Sequence, residues 1–170
     1  MATFKVQGGI KLKGELHPQG AKNEALQVLC AVLLTPGEVI MENVPNIRDV
    51  NILIDLLRDL NVKVNQINEE TYSFKADEVD VDYLSSEDYK IKSSRIRGSI
   101  MIVGPLLARY GKGYIPRPGG DKIGRRRVDT HFIGFEKLGA KFIYDSKEEF
   151  YRVTADKLTG TYMLLDEASV

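Results

Sequence analysis

GAKNEALQVLCAVLLTPGE, residues 20–38, places nine apolar residues within the ten positions 25–34, at 25, 26 and 28–34. Wound at 3.6 residues per turn, they point almost all the way round a helix. Such a helix is expected in the interior, covered on every side, with Pro36-Gly37 as its stop. The same plan returns in SSRIRGSIMIVGPLLARYGKG, residues 93–113, an apolar helix with Pro105 inside it, closed by Gly111. Ala25, Leu26, Leu29, Leu33 and Gly37 fall opposite Ser99, Ile100, Val103, Leu107 and Gly111 at a constant offset of 74. Further on, Val50, Leu57, Leu60 and Lys63 fall opposite Val128, Phe135, Leu138 and Lys141 at an offset of 78. The chain is an internal repeat, and its second copy is longer by four residues, all within PRPGGDKIGRRR.

The elements between these landmarks complete the plan. Phe4–Val6 and Ile10–Leu16 read as short strands joined by Gly8-Gly9. Val39–Met41 reads as a strand. NIRDVNILIDLLRDL, from Asn46, reads as an amphipathic helix, with Asp49 at capping-box spacing from Asn46. Residues 62–67 and 72–75 read as a hairpin around residues 68–70. The second copy offers a strand near Tyr114, a helix from Val128 to Leu138, and strands near 141–144 and 150–154. Each copy therefore runs helix, strand, helix, strand, strand, an α/β unit. The opening helices are too apolar for a surface, so they are expected to pack against one another with the sheets outside. Two copies leave that arrangement open on one side, so a third is expected.

The chain has 170 residues, 43% of them hydrophobic and 28% charged. That suits a globular domain or a piece of something larger. Twenty-four basic residues balance 24 acidic ones, so net charge indicates no partner, but its distribution does. Residues 109–127 hold seven basic residues against one acidic; residues 69–90 hold eight acidic against two basic. A lone cysteine, Cys30, excludes an intrachain disulfide framework and reads as a small core residue. MATFKVQGG lacks the apolar segment of a signal peptide, and no stretch approaches the roughly 20 residues of a membrane span. A cytoplasmic protein without membrane partners is expected.

Insertions accumulate where a chain is free of the core, and such loops more often carry function than packing. In residues 116–127, Gly119-Gly120 permits positive φ and close approach to a ligand. Arg125, Arg126 and Arg127 offer planar forks suited to phosphate or carboxylate, with Lys122 beside them and Asp121 in front. No aromatic interleaves the arginines, as stacking on single strands would want, and no GxxxxGK[ST] pattern occurs. Nucleic acid is therefore not an expected partner. Lys22 and Asn23 open the first buried helix, and Arg95 and Arg97 stand at the equivalent start of the second. A cation there is disfavoured by the helix field unless an anion binds. The plainer alternatives are a solvated lysine and two arginines answering the acidic block. His17, His131 and Cys30 have no metal-ligand spacing; the histidines read as structural, and neither metal nor cofactor is expected.

GAKN at 20–23, LLTPGEVIMENVPNIRDV at 33–50, SSRIRGSI at 93–100, GPLLARYGKG at 104–113, PGGDKIGRRRVDTH at 118–131 and GFEKLGAKF at 134–142 resemble the UDP-N-acetylglucosamine 1-carboxyvinyltransferases. These are the enolpyruvyl transferases that open peptidoglycan precursor synthesis. The resemblance covers the whole chain in order. It implies an inside-out α/β barrel: two lobes, each of three βαβαββ units with buried helices. Residues 1–18 would be strands belonging to the other lobe. Residues 19–92 and 93–170 would be two of the first lobe's three units, with the catalytic loop at 116–127 and the second lobe absent. The implied reaction moves the enolpyruvyl group of phosphoenolpyruvate to the 3-hydroxyl of UDP-N-acetylglucosamine and releases phosphate, with the isolated 170 residues inactive. Lys22, Asn23 and Arg126 would hold phosphoenolpyruvate; Arg97, Arg126, Arg127, Val128, Asp129, Thr130, Ser169 and Val170 would contact the UDP-sugar. Two readings stand beside it: the related 3-phosphoshikimate 1-carboxyvinyltransferase, and a non-catalytic anion- or nucleotide-binding module.

Two positions depart from the usual pattern. Arg127 replaces a proline. Asp121 replaces the cysteine that donates a proton and is alkylated by fosfomycin; since a carboxylate cannot form that thioether, insensitivity is expected. A free aspartate has a pKa of about 3.9, so only on the order of one molecule in a thousand is protonated at pH 7. Surrounding cations lower the value further. Asp121 can serve as an acid only if bound substrate neutralises the loop and closure removes water.

Overall fold

The computed structural model describes residues 3–115, 128–146 and 150–165. Two three-stranded antiparallel sheets form, and the last strand of each repeat sits in the middle of its sheet. In the first, β1 (Glu38–Met41) and β2 (Lys63–Gln66) flank β3 (Tyr72–Lys75). In the second, β4 (Lys112–Ile115) and β5 (Lys141–Asp145) flank β6 (Phe150–Thr154). The registers match as well. Val39, Phe74 and Val64 form one cross-strand row, and Gly113, Val153 and Phe142 form its counterpart. Side chains in a row share one face of the sheet, and Phe74 and Val153 are both fully buried against the helices.

α1 (Lys22–Ala31) continues as a 3₁₀ turn to Leu34. It buries Leu26, Leu29 and Cys30, with Val32 and Leu33 beyond. It is not covered on every side: Val28 and Leu34 are about half exposed (45% and 54%). Both remain open to solvent in the described chain. The Cys30 thiol donates to the Leu26 carbonyl, and burial pushes its pKa up to about 12, so it is an inert core group.

α2 (Arg48–Asp59) has a narrow apolar face, and Val50, Leu53, Ile54, Leu56 and Leu57 are all buried. The expected capping box does not form. Ile47 occupies the N-cap without a side-chain cap; Asn46 instead accepts from the Asn51 amide at 2.9 Å, and Asp49 turns to Lys22. The hairpin β2–β3 is as expected, with Glu70 N–H donating to the Asn68 side chain in its turn. α3 (Glu87–Ser93) was not anticipated, because its charges read as an acidic block. Its start is nonetheless well made: Ser86 Oγ accepts from Tyr89 N–H at 3.1 Å. Glu87 and Asp88 sit in the first turn, Lys90 and Lys92 in the last, matching the helix dipole.

The second apolar stretch divides into a 3₁₀ helix, Arg97–Ile102, and α4 (Val103–Tyr110). Pro105 thereby falls in the first turn of α4, where its missing N–H is not needed. Gly111 closes the helix at φ 66°, and a Cβ there would lie 2.5 Å from the Ala155 carbonyl oxygen. α5 (Asp129–Lys137) lies on the second sheet through Phe132 and Phe135, but buries no residue completely.

The repeats join along their opening helices. α1 packs on the 3₁₀ helix, and Ile96, Ile102 and Leu106 enter the same apolar cluster as Leu29 and Leu33. Arg109 ties the joint, donating from Nη1 to the carbonyls of Leu33 at 3.2 Å and Ala76 at 2.6 Å. The two strands expected in residues 4–16 do not form. Phe4, Val6, Leu12 and Leu16 are each 88–94% exposed, and a strand holds its shape only through a partner, which the described residues do not offer this segment.

Candidate functional site

A cleft of about 520 Å³ opens where the two repeats meet. α1 contributes Lys22, Asn23 and Gln27; α2 contributes Arg48, Asp49 and Ile52; the second repeat contributes Arg95, Arg97 and His131. Leu26, Ile96, Ile100 and Met101 line its floor. Four of the described lining residues are full cations, and one, Asp49, is a carboxylate.

The fold makes this convergence unavoidable. Gly20 lets the chain pass against residues 43–45, since a Cβ there would sit 2.1 Å from the Asn43 carbonyl oxygen. That close approach fixes the start of α1 beside the start of α2. Gly98 lies against Leu26, with a notional Cβ only 3.1 Å from Leu26 Cδ1. The second repeat's opening helix is thus held close to α1, and Arg95 and Arg97 come alongside Lys22.

Lys22 and Arg48 both stand in the first turn of a helix, where the unpaired N–H groups already present positive partial charge. Neither α1 nor α2 has a side-chain cap. Lys22 Nζ reaches Asp49 Oδ2 at 3.3 Å, with both side chains over a third exposed. A pair so exposed is worth about 0–1 kcal/mol, so an incoming anion can replace Asp49 at little cost. Asn23 and Gln27, one turn apart, place neutral donors and acceptors on the same face of α1.

His131, expected to be structural, lines this cleft from α5. Burial and then the Arg97 guanidinium hold its pKa below the ordinary 6.5, so the imidazole is neutral near pH 7. His17, the other histidine, is exposed beside Glu15. Of the remaining residues singled out in the sequence, Val128, Asp129 and Thr130 form the start of α5, one turn from His131, which donates its backbone N–H to the Val128 carbonyl. Asp121, Lys122, Arg125, Arg126, Arg127, Ser169 and Val170 lie outside the described residues. Arg48 was missed, although the reasoning that marked Lys22, a cation in a helix's first turn, applies equally to it. Among the described residues no group of three or more His, Cys, Asp or Glu is placed to hold a metal ion, and no helix is long and apolar enough to cross a membrane.

A cationic cleft between two α/β units defines a class that comparison with known proteins makes specific. The family model for EPSP synthase (3-phosphoshikimate 1-carboxyvinyltransferase) matches residues 6–170, and the chain belongs to that family. Over all 170 residues it is 57% identical to a UDP-N-acetylglucosamine 1-carboxyvinyltransferase of Bacteroides thetaiotaomicron and 55% identical to one of Porphyromonas gingivalis. It covers 39% of the length of each. Among solved structures, the enolpyruvyl transferase NikO from Streptomyces tendae superposes with a TM-score of 0.72 over 89% of this chain and 32% of its own. At 21% identity, that likeness establishes the fold.

Proposed function

We propose that this chain supplies the first part of an enolpyruvyl transferase acting on phosphoenolpyruvate and UDP-N-acetylglucosamine at the opening of peptidoglycan precursor synthesis in the cytoplasm. The carrying observation is the cleft that gathers Lys22, Asn23, Arg95 and Arg97 from two helix starts. A doubly anionic enol ester and a sugar nucleotide both need such a surface. In this reading Lys22 and Arg126 hold the anionic groups of phosphoenolpyruvate, with Asn23 beside them. Arg97, Arg126, Arg127, Val128, Asp129, Thr130, Ser169 and Val170 hold the UDP-sugar. Asp121 protonates C3 of the enol as the sugar 3-hydroxyl adds at C2 and gives up its proton to a base. The tetrahedral intermediate then returns a proton from C3 to Asp121 while the C2–O bond to phosphate breaks and the departing phosphate takes the proton from that base. Asp121 is competent only in the ternary complex, where substrate charge offsets the surrounding arginines.

The same reading extends to architecture. The half-exposed Val28, Leu34 and Ile40 mark the side on which a third unit would complete an inside-out barrel. The exposed, alternating apolar residues of segment 3–18 suit strands that pair with a second lobe. The curated relatives' greater length leaves room for both.

Phosphate release from phosphoenolpyruvate tests the proposal. The complete protein should release phosphate only when UDP-N-acetylglucosamine is present, be insensitive to fosfomycin, and lose turnover when cut back to residues 1–170. Release with 3-phosphoshikimate instead would favour the reaction named by the family model. Nucleotide binding without turnover by the complete protein would make it a binding module.

A further inference from the structure

We propose that the buried Ser99 is a positioning residue, whose hydroxyl holds the turn that carries Arg95 and Arg97 and so sets where those cations meet a sugar nucleotide. The inference rests on the functional reading above and adds a residue behind those that line the cleft. Backbone hydrogen bonding accounts for the device. α3 ends at Ser93, and the last four carbonyls of a helix lack partners within it. Here Lys90 O accepts from Ser94 N–H and Lys92 O from Arg95 N–H, each at 3.1 Å. Ile91 O accepts from the Ser94 hydroxyl at 2.9 Å. Ser93 O, the last, is met from beyond the turn: Ser99 Oγ lies 2.6 Å from it and 2.8 Å from Ile96 O. One hydroxyl proton shared between two carbonyls closes a bridge over Ser94, Arg95 and Ile96, joining the end of α3 to the start of the 3₁₀ helix.

The bridge governs where the arginines point. Ile96 is extended, at φ −129° and ψ 138°, and 2% exposed in the core. Successive side chains of extended backbone turn to opposite sides, so its neighbours are carried the other way, and Arg95 and Arg97 both line the cleft. The first repeat has no such device. Ala25 stands in the position of Ser99, and α1 begins as a regular helix, with Ala25 N–H donating to Ala21 O at 3.0 Å. Lys22 is presented by that helix alone. The hydroxyl thus belongs to the repeat whose cations come from a turn. Without it, the Ser93 carbonyl is left unpaired beside a core position only 4% exposed. The turn regains freedom, and a ligand must order the arginines itself, at a cost to affinity.

The test uses the complete protein, with kcat and KM for UDP-N-acetylglucosamine measured at saturating phosphoenolpyruvate. Ser99→Ala should raise KM about tenfold, the worth of one ordinary hydrogen bond. It should leave kcat within about twofold, because the arginines are binding contacts made equally in ground and transition states. In an Arg95→Gln, Arg97→Gln background, the same change should move KM by less than about twofold, since the hydroxyl acts through those side chains. Ser86→Ala, which weakens α3 at its far end, should lower the melting temperature without moving KM. Ser99→Cys, a weaker donor of similar size, should shift KM in the same direction and gives the readout if Ser99→Ala does not fold. An unchanged KM, a loss in kcat alone, or a KM shift as large without the arginines as with them overturns the inference and leaves the functional reading standing. A complete protein that does not turn over UDP-N-acetylglucosamine overturns that reading, and this inference with it.

Discussion

Leu60 and Leu138 close equivalent helices, yet Leu60 is wholly buried and Leu138 only partly so. The contrast runs through both repeats. α2 buries five residues and α5 none; the Val39–Phe74–Val64 row has as its counterpart a row in which glycine replaces valine. In the first repeat Asp77 clasps Lys63 and Lys75 at 3.0 and 3.1 Å. In the second, Asp156 follows β6 with Thr154 in place of Lys75 and with no such clasp among the described residues. One topology has been put to two uses. The first repeat is a packed support that fixes Lys22 and Arg48, while the second is loosely covered and carries the lengthened loop and His131. Active regions are commonly drawn from the less stable parts of a fold, and this repeat pair separates the two roles.

Substitutions in the two copies can break or sharpen that contrast. The largest effect is expected at Asp121, which has no counterpart in the first repeat. In the complete protein, Asp121→Asn should lower kcat by about 10²–10⁴-fold, the usual worth of a general acid, with little change in melting temperature; near-normal kcat would remove Asp121 from the chemistry. Next come the paired leucines. Leu60→Ala should cost about 2–5 kcal/mol in denaturant unfolding, as for a buried leucine, and Leu138→Ala less than half of that. Equal losses would show the second repeat to be as tightly packed as the first. Ser86→Ala, which removes the α3 cap, should cost about 1 kcal/mol, with Ser86→Thr restoring most of it.

The smallest effect is confined to acid. Hydrogen bonds from Lys63 and then Lys75 hold the Asp77 carboxylate at about 2, below its ordinary 3.8. A depressed carboxylate stabilises the fold above its unfolded value and loses that contribution as pH falls through the folded one. Asp77→Asn should therefore flatten the stability curve between about pH 4 and pH 2 and change its shape little at neutral pH. An unchanged acid limb in that variant would show that the clasp does not persist in solution.

What could be read in advance follows the same division. α2 and the opening helices declare themselves through apolar spacing, because burial there is one-sided or nearly complete. The repeat itself emerges from two constant offsets. α3 escaped notice because about two turns, four of whose seven residues are charged, offer no apolar period to detect. The capping box at Asn46 failed because a tertiary partner, Lys22, draws Asp49 away from the local hydrogen bond. The strands at residues 4–16 have the right alternation but no neighbour, and pairing is a property of two segments, not one. In the site, Lys22, Arg95 and Arg97 were legible as cations at helix starts. His131 was not, because a histidine one turn into a helix looks the same whether it faces core or cleft until the packing is known.

The central claim is that cations from two separate repeats serve one ligand-holding cleft. A double-mutant cycle on Lys22→Gln and Arg97→Gln in the complete protein tests it most directly, reading kcat/KM for UDP-N-acetylglucosamine at saturating phosphoenolpyruvate. Residues acting on one bound complex should each cost activity and show a coupling of about 0.5–3 kcal/mol between them. Near-wild-type activity in both single variants, or losses that simply add, would contradict a shared site.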